Sequence, residues 1–311
     1  MPRTVVAALA ALAALALSAC SAGAPGRGPA VSEVDASACP GRVVDVVVSV
    51  GQWGDVVRQL GGACATVTTI VASAAVDPHD FEPGTAALAA ISDADLVVLN
   101  GAGYDHWAEN AVDTLDPAPP VVSAAHAADV AASGVDPHLW YSPDVVQRMS
   151  GAVGRALSRL AGTKAAGYLA QRAAAWTDAL APYDDAVRNL SAVAAGRTFA
   201  ATEPVFDRMA AAIGLRDVTP EGYRRASSND SEPAPADLTG FEAALADGKV
   251  DVLIYNTQTS GTVPAQLRAA AGRGRVPVVE VSESPPDAQG SFVAWQLTQL
   301  TELSDALGGT S

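Results

Sequence analysis

Two of the four histidines in the chain share an unusual local sequence. His79 and His138 each end an Asp-Pro-His tripeptide, and each tripeptide precedes a predicted helix. Proline fixes its own φ and keeps the preceding residue extended, so each imidazole is presented from a stiff turn. We expect both turns to leave the carboxyl ends of strands, where open α/β sheets place ligands. Neutral imidazole is a common metal ligand, so the repeat predicts half of a metal site.

A site built on two imidazoles needs further ligands, and carboxylates supply them together with negative charge. Glu203 follows a strand predicted at 197–201 and begins a helix, whose dipole keeps a carboxylate ionised. Capping of that helix is its alternative role. Glu283 lies in the loop after the last predicted strand. Strand alternation turns Glu280 to one face of the sheet, which leaves Glu283 as the preferred fourth ligand and Asp287 as its competitor.

The other two histidines are predicted not to bind the metal. His106 lies within a predicted helix at 104–115, and His126 lies in an Ala-rich stretch. Trp140 and Tyr141 follow His138 directly. These two aromatic side chains fit either a wall of the metal cleft or ordinary core packing.

The elements that position these residues alternate along the chain. Short β-branched segments are followed by longer segments with helical periodicity, which predicts parallel strands connected by helices. Strands are predicted at 43–50, 67–71, 95–100, 121–123, 197–201, 250–256 and 276–281. Helices are predicted at 52–60, 85–91, 104–115, from 143 onward, and at 204–214, 237–247, 262–272 and 290–307.

A further helix is predicted between the two halves of the chain. Its apolar residues recur at helical spacing on one face: Trp176, Leu180, Tyr183, Val187 and Leu190. Pro182 is expected to kink this helix without ending it, because the periodicity continues beyond the proline. We interpret the segment as a rod that connects two α/β lobes. The predicted boundaries are 1–19 for a signal peptide, 20–38 for a tether, 39–160 for an N-terminal lobe, 161–194 for the connecting helix and 195–311 for a C-terminal lobe.

The first residues are typical of an export signal. Arg3 precedes an apolar run over residues 5–17, which is shorter than the roughly 20 residues that span a bilayer. Residues 17–20 (LSAC) resemble the bacterial lipoprotein cleavage motif, in which Cys20 becomes the lipid-bearing first residue. An ordinary cleaved signal peptide is the alternative. The Gly-, Pro-, Ala- and Ser-rich segment after Cys20 predicts a flexible tether to the membrane.

Two cysteines remain, Cys39 and Cys64. Exported compartments are oxidising, so we predict a disulfide between them. The alternatives are two buried thiols or a metal site. Two cysteines without a CxxC spacing make a poor zinc cage.

The overall composition excludes two classes of protein. Lys and Arg number 19 against 34 Asp and Glu, a net charge of −15 without any basic stripe. Nucleic acids need basic residues to neutralise their phosphates, so we expect no nucleic-acid partner. Hydrophobic residues make up 49% of the 311 residues, which excludes a disordered chain. This length favours two lobes over one core.

The chain resembles the zinc/manganese-type solute-binding lipoproteins of bacterial ABC transporters. The resemblance covers nearly everything after the tether. Its markers are DPHDFEP at 77–83, LVVLNGAGYDHW at 96–107, DPHLWYSP at 136–143, EPVFDRMAAAIGL at 203–215 and SEPAPADL at 231–238. The resemblance implies an α/β fold of two Rossmann-like lobes with parallel sheets, joined by a long rigid helix, with a metal cleft between the lobes.

The resemblance also implies the ligand set. In the family, each lobe supplies two ligands to one divalent metal ion, which correspond here to His79, His138, Glu203 and Glu283. The third position is His in many zinc receptors and Glu in manganese-type receptors, and the fourth is commonly Asp. A set of two imidazoles and two carboxylates favours Mn²⁺ or Fe²⁺, whereas the stability order of divalent metals makes Zn²⁺ bind such a site more tightly than Mn²⁺. We therefore expect Zn²⁺ or Mn²⁺, with Fe²⁺ as the less favoured candidate.

The implied function is capture and delivery rather than catalysis. The resemblance predicts a monomer, lipid-anchored on the extracytoplasmic face of the cell membrane, that passes its metal to an ABC permease and its ATPase. One alternative is a metal-dependent hydrolase with Glu280, Glu283 or Asp287 as its base. The other is an iron-chelate receptor of the same architecture, which would need a broad aromatic or basic cleft, whereas aromatic residues make up only 5% of the chain.

Overall fold

The computed structural model describes residues 29–32, 35–73, 81–131, 134–229, 231–259, 261–286 and 290–309. The strands are β1 (Ala30–Val31), β2 (Val44–Val50), β3 (Ala65–Val71), β4 (Leu96–Leu99), β5 (Val121–Ser123), β6 (Thr198–Ala201), β7 (Arg216–Asp217), β8 (Val252–Asn256) and β9 (Val278–Val281). The helices are α1 (Gly51–Gly61), α2 (Thr85–Asp93), α3 (His106–Asp113), α4 (Ala124–Ala127), α5 (Pro143–Ala161), α6 (Ala166–Ala194), α7 (Asp207–Ile213), α8 (Glu221–Ser227), α9 (Pro235–Ala246), α10 (Thr262–Gly274) and α11 (Phe292–Ala306). Among these helices, none is both long and apolar enough to cross a membrane.

The N-terminal lobe, β1–β5 with α1–α5, is built on a five-stranded sheet in the order β1-β3-β2-β4-β5. Strand β2 lies at its centre, and its valines are almost all buried, as is typical of a strand covered by helices on both faces. The pairings from β3 to β5 are parallel. Strand β1 pairs antiparallel with β3, and the Ser32 hydroxyl accepts a hydrogen bond from the Val67 N–H at 2.9 Å. The segment predicted as a tether therefore contributes an edge strand.

The C-terminal lobe, β6–β9 with α7–α11, contains a parallel four-stranded sheet in the order β7-β6-β8-β9. The carboxyl ends of β6, β8 and β9 meet at one edge of this sheet, because parallel neighbours end together. That edge faces the N-terminal lobe, and the space between the two lobes is the cleft.

Helix α6 joins the lobes and continues without interruption through Pro182 over 29 residues. Its buried face includes Trp176, Leu180 and Tyr183. The Trp176 Nε1–H donates to the Ser150 hydroxyl on α5 at 2.9 Å. Because α6 packs against α1 and α5 in one lobe and against α7 and α11 in the other, it contacts both halves of the molecule. The predicted fold class is confirmed, with β1 as an antiparallel exception.

The two lobes share one hydrophobic core, which continues from β2 and α1 through α6 to β6, α7 and α11. Hydrogen bonds reinforce this interface at the N-terminus of α11. The main-chain N–H of Phe292 donates to Oδ2 of Asp55 on α1 at 2.9 Å, so a carboxylate of one lobe caps a helix of the other. The edges that line the cleft are therefore fixed relative to each other by packing as well as by the chain.

Cys39 and Cys64 form a disulfide, as predicted. Cys64 ends the short 3₁₀ turn before β3, and Cys39 lies just before β2. The disulfide therefore ties the segment that enters the N-terminal lobe to the central part of its sheet.

Candidate metal centre

His138 lies in the loop between α4 and α5 and is 5% exposed. Its main-chain nitrogen and its ring Nδ1 lie 3.0 and 2.6 Å from Oδ1 of Asp136. A carboxylate only accepts hydrogen bonds, so we assign the proton to Nδ1, and the neutral ring then presents the lone pair of Nε2. The Nε2 atom lies 3.8 Å from Oε2 of Glu283. The ring is thus oriented toward a carboxylate from the other lobe.

Asp136 is itself held across the cleft by Arg208 of α7. The Arg208 Nε lies 3.1 Å from the main-chain oxygen of Asp136 and 3.2 Å from its Oδ2. The Arg208 guanidinium donates a further hydrogen bond to the same main-chain oxygen. The carboxylate that orients His138 is therefore fixed from both sides, by the imidazole of its own loop and by a cation of the C-terminal lobe.

The His138 loop is anchored to the sheet by Asn100 at the carboxyl end of β4. The Asn100 amide donates to the main-chain oxygen of Pro137 at 2.9 Å and accepts from Trp53 Nε1 at 3.1 Å. The expectation that this loop leaves a strand directly is wrong. Helix α4 intervenes, because Ser123 at the end of β5 caps it through its side chain.

Glu203 lies directly beyond β6, at the N-cap position of the 3₁₀ turn Pro204–Phe206. Its side chain makes no capping hydrogen bond. Instead, its Oε2 accepts a hydrogen bond of 2.5 Å from Nδ2 of Asn256. Burial raises the pKa of the Glu203 carboxyl, contacts with Thr259 and Asn256 oppose the shift, and the nearby Glu283 raises it further. The geometry therefore favours a cleft-facing role over helix capping.

Glu283 lies just after β9 and is 6% exposed. Its Oε1 accepts from Asn256 Nδ2 at 3.0 Å, and its Oε2 accepts from the Tyr104 hydroxyl at 3.1 Å. Gln52 of α1 donates to its main-chain oxygen at 2.6 Å. Burial first, and then the Glu283 charge, raise the pKa of Tyr104 well above its ordinary value, so this phenol remains a donor. A loop of the C-terminal lobe is thus held by two side chains of the N-terminal lobe.

A cavity of about 800 Å³ opens between the lobes, and His138, Glu203 and Glu283 all line it. Three of the four predicted ligands therefore face one space. Within the described residues, no three His, Cys, Asp or Glu side chains are close enough together to hold a metal ion. The Asn256 amide lies between the two glutamates and is hydrogen-bonded to both of them.

Three predicted residues lie outside the part of the chain that the structure describes: His79, Asp287 and Cys20. The structure does describe Glu280, which was considered as an alternative to Glu283. Its exposed carboxylate pairs with Arg268 of α10 on the surface of the C-terminal lobe, as strand alternation predicts. Among the described residues, Glu283 is therefore a better candidate for the fourth metal ligand than Glu280.

The structure also describes the two other histidines and the two aromatic residues that follow His138. His106 and His126 are exposed, and neither lines the cavity. Trp140 is fully buried and packs edge-to-face against His138, with ring centroids 5.4 Å apart. The Tyr141 hydroxyl donates to the main-chain oxygen of Ser282 in the opposite lobe at 2.7 Å. These aromatic side chains both pack in the core and close one side of the site.

Comparison with known proteins identifies the family. Residues 46–306 match the family model described as ZnuA, zinc-uptake complex component A, periplasmic. The chain belongs to the ZnuA family. This membership agrees with the resemblance predicted from the two Asp-Pro-His turns and the other sequence markers.

Relatives of this ZnuA-family chain carry names of metal-binding lipoproteins. The zinc-binding lipoprotein AdcA of Streptococcus pneumoniae is 24% identical over 233 residues, which are 69% of this chain and 45% of AdcA. The manganese-binding lipoprotein MntA of Halalkalibacterium halodurans is 32% identical over 104 residues, which are 32% of this chain and 34% of MntA. The chain thus matches less than half the length of each of these two relatives.

Solved structures of the same fold include two metal-binding proteins. The zinc-binding protein TroA of Treponema pallidum superposes with a TM-score of 0.70 at 21% identity, covering 85% of this chain and 99% of TroA. The solute-binding protein FpvC of Pseudomonas aeruginosa, in complex with Mn²⁺, superposes with a TM-score of 0.69 at 21% identity, covering 86% and 99% of the two chains. At this identity the likeness shows the fold of the ZnuA-family chain.

Sequence reasoning missed the residues that organise the site. Asn256 lies at the carboxyl end of β8, and a buried polar residue at that position in a parallel sheet was the available signal. The orienting role of Asp136 was also missed, although it belongs to the second Asp-Pro-His turn. Arg208 gave no signal, because its contact with Asp136 depends on the packing of one lobe against the other.

Proposed function

We propose that this protein is the extracytoplasmic substrate-binding component of an ABC importer. It captures one divalent transition metal ion, Zn²⁺ or Mn²⁺, and delivers it to a membrane permease with its ATPase. The cargo is bound by His79 and His138 from the N-terminal lobe and by Glu203 and Glu283 from the C-terminal lobe. The protein acts as a monomer that is anchored to the extracytoplasmic face of the membrane through a lipid on Cys20.

The observation that carries this proposal is a pair of carboxylates facing His138, the half-buried Glu203 and the buried Glu283. Glu203 and Glu283 come within 2.5 and 3.0 Å of the same Asn256 nitrogen, while Glu283 lies 3.8 Å from His138 Nε2. Two carboxylates in a partly dry cleft repel each other when both are ionised, and a dication removes that repulsion. Imidazole nitrogen and carboxylate oxygen are donors that suit Zn²⁺ and also Mn²⁺.

The assignment of His79 is supported by the residues that flank its segment. Strand β3 ends at Val71, at the carboxyl edge of the N-terminal sheet. On the other side, Phe81 packs against Trp107 with ring centroids 4.8 Å apart. Trp107 lies on α3, next to the turn that carries the Glu283 partner Tyr104. The described residues on the two sides of this segment are thus the carboxyl end of β3 and the Phe81 ring that packs on α3.

The same geometry favours transport over hydrolysis. A receptor needs a closed coordination shell, whereas a catalytic metal keeps an open position and a nearby base. Glu280 is turned to the surface and paired with Arg268. Glu283 accepts hydrogen bonds through both carboxylate oxygens, from Asn256 and from Tyr104.

The proposal is tested by counting bound metal in purified protein. We expect one Zn²⁺ or Mn²⁺ per chain by titration calorimetry and elemental analysis. The double substitution His79→Ala and His138→Ala should abolish binding without unfolding the chain, and thermal unfolding of the metal-free variant checks that the fold is retained. The matched control is the double substitution His106→Ala and His126→Ala at two exposed positions, which should leave the stoichiometry at one. Undiminished one-to-one binding by the first double variant would refute the ligand assignment.

A further inference from the structure

The turn that carries His138 is held by both lobes through consecutive main-chain oxygens. The amide of Asn100, at the carboxyl end of β4 in the N-terminal lobe, donates to the main-chain oxygen of Pro137 at 2.9 Å. The main-chain oxygen of Asp136, one residue earlier, accepts from Nε of Arg208 in the C-terminal lobe at 3.1 Å. A second nitrogen of the same guanidinium also donates to it. The position of this turn therefore depends on the C-terminal lobe as well as on its own sheet.

The carboxylate of Asp136 divides its two oxygens in the same way. Its Oδ1 accepts from the main-chain N–H of His138 at 3.0 Å and lies 2.6 Å from the ring Nδ1. Its Oδ2 lies 3.2 Å from Nε of Arg208, and the side chains of Arg208 and Asp136 are only 21% and 24% exposed. Salt and water screen such a shielded ion pair less than a pair on the surface. The guanidinium therefore holds the carboxylate that orients the imidazole.

Helix α7 directs Arg208 across the cleft and the preceding residue into its own lobe. Asp207 pairs with Arg224 of α8 at 2.6 Å, so its charge is balanced within the C-terminal lobe. Glu203 lies directly before the 3₁₀ turn that leads into α7. One short segment therefore carries a proposed ligand of the C-terminal lobe together with the cation that holds Asp136 in the N-terminal lobe.

We propose that Arg208 is a positioning residue that slows release of the cargo ion by holding the Asp136–His138 turn against the C-terminal lobe. This inference rests on the proposed metal-binding function, with His138 as a ligand, and adds a contact across the cleft that controls release. A ligand ring that is kept from turning away keeps its nitrogen on the metal, so the contact acts on the dissociation rate. Arg208 is not itself a ligand, because a guanidinium has only donors.

Removal of Arg208 tests the sign of its effect on metal binding. A guanidinium near a dication repels it, so loss of the charge alone would tighten binding. A positioning role predicts the opposite sign, because loss of Arg208 frees the Asp136 carboxylate and with it the His138 ring. Partners of metal-ligating histidines typically contribute about 10- to 100-fold to affinity. Arg208 acts on the ring through Asp136, so we expect the lower end of that range, about tenfold.

The experiment measures how fast Zn²⁺ leaves the purified, Zn²⁺-loaded protein when an excess of chelator is added. Arg208→Met keeps the apolar stem and removes the charge and the donors. Arg208→Lys keeps the charge but lacks the planar fork that reaches both the main-chain and the carboxylate oxygen of Asp136. We expect Arg208→Met to release Zn²⁺ about tenfold faster than the parent, with an association rate within about threefold of the parent value. Arg208→Lys should release Zn²⁺ at an intermediate rate, and it carries the test where Arg208→Met does not fold.

Two controls separate positioning from loss of charge and from loss of structure. Arg225→Met removes an exposed guanidinium that pairs with Glu221 on α8, and it should release Zn²⁺ at the parent rate. The second control repeats Arg208→Met in an Asp136→Ala background. There it should accelerate release by less than about threefold, because the carboxylate that links Arg208 to the imidazole is already absent. Thermal unfolding of each metal-free variant checks that the fold is retained.

The outcomes separate this inference from the function on which it rests. A parent protein that binds one ion, with release from Arg208→Met as slow as from the parent or slower, would overturn the inference and leave the proposed function intact. An equal acceleration by Arg208→Met with and without the Asp136 carboxylate, or by Arg225→Met, would overturn the inference as well. A parent protein that binds neither Zn²⁺ nor Mn²⁺ would overturn the proposed function and the inference together.

Discussion

Removal of the Asp136 carboxylate should weaken metal binding although Asp136 is not itself a proposed ligand. This carboxylate lies 2.6 Å from Nδ1 of His138 and also accepts from its main-chain N–H at 3.0 Å. It fixes the tautomer that exposes Nε2 and stops the ring from rotating. Partners of this kind typically contribute 10- to 100-fold to metal affinity, so Asp136→Ala should cost about 1.4–2.7 kcal/mol in binding.

A milder substitution at the same position should weaken metal binding less. Asp136→Asn keeps an oxygen that accepts from Nδ1–H but loses the negative charge that faces Arg208. The affinity of Asp136→Asn for Zn²⁺ should therefore lie between the affinity of the parent protein and that of Asp136→Ala. The control is Asp185→Ala, which removes an exposed carboxylate paired with Arg188 on α6, away from the cleft.

The assay is competition for Zn²⁺ against a chelator of known affinity at neutral pH. We expect the parent protein and Asp185→Ala to bind Zn²⁺ equally tightly. Asp136→Asn should bind more weakly than both, and Asp136→Ala should bind most weakly. An Asp136→Ala affinity within about twofold of the parent, or about 0.4 kcal/mol, would refute the argument that Asp136 orients the His138 ligand.

Three further predictions concern stability and pH. Replacing Cys39 and Cys64 by Ser should lower the free energy of unfolding by about 3 kcal/mol, since their 25-residue separation sets the loop entropy, and an unchanged urea midpoint under non-reducing conditions would contradict this. Tyr141→Phe removes the single O–H that lies 2.7 Å from the Ser282 main-chain oxygen and 2.6 Å from Oε1 of Gln299, so one buried acceptor loses its donor; this should cost about 1–3 kcal/mol in urea unfolding, with an unaltered midpoint as the contrary result. Burial raises the pKa of Glu203, so protons should compete with Zn²⁺ at higher pH than for an exposed glutamate, and affinity should fall as the pH falls through that raised pKa. Glu203→Gln should flatten this pH dependence, and an equally steep profile in that variant would contradict the role of Glu203.

The longer elements could be predicted because their local signals agree with their burial. The valine run of β2 is typical of a central parallel strand, and Ser142 and Pro143 mark the start of α5. The short elements β1, β7, α4 and α8 were not predicted. Segments of two to seven residues contain at most about two helical turns or a single strand repeat, which is too few for a periodicity to be recognised, and their formation depends on neighbours that lie elsewhere in the sequence.

The residues of the candidate site also divide into those that could be predicted from the sequence and those that could not. His138, Glu203 and Glu283 each lie near a strand end or a helix start, so residue type and local position sufficed to select them. The role of Asn256 depends on β8 lying between β6 and β9 in the sheet, an order that the sequence does not state. The contact between Arg208 and Asp136 likewise requires the packing of the two lobes.

The most direct test of the account is a crystal structure of the Zn²⁺-loaded protein with anomalous data collected at the zinc absorption edge. We expect one strong anomalous peak in the cleft, about 2.0–2.2 Å from an imidazole nitrogen of His79 and of His138 and from one oxygen each of Glu203 and Glu283. A peak at another location, or a peak in the cleft that lacks contact with His138 or with both glutamates, would contradict it.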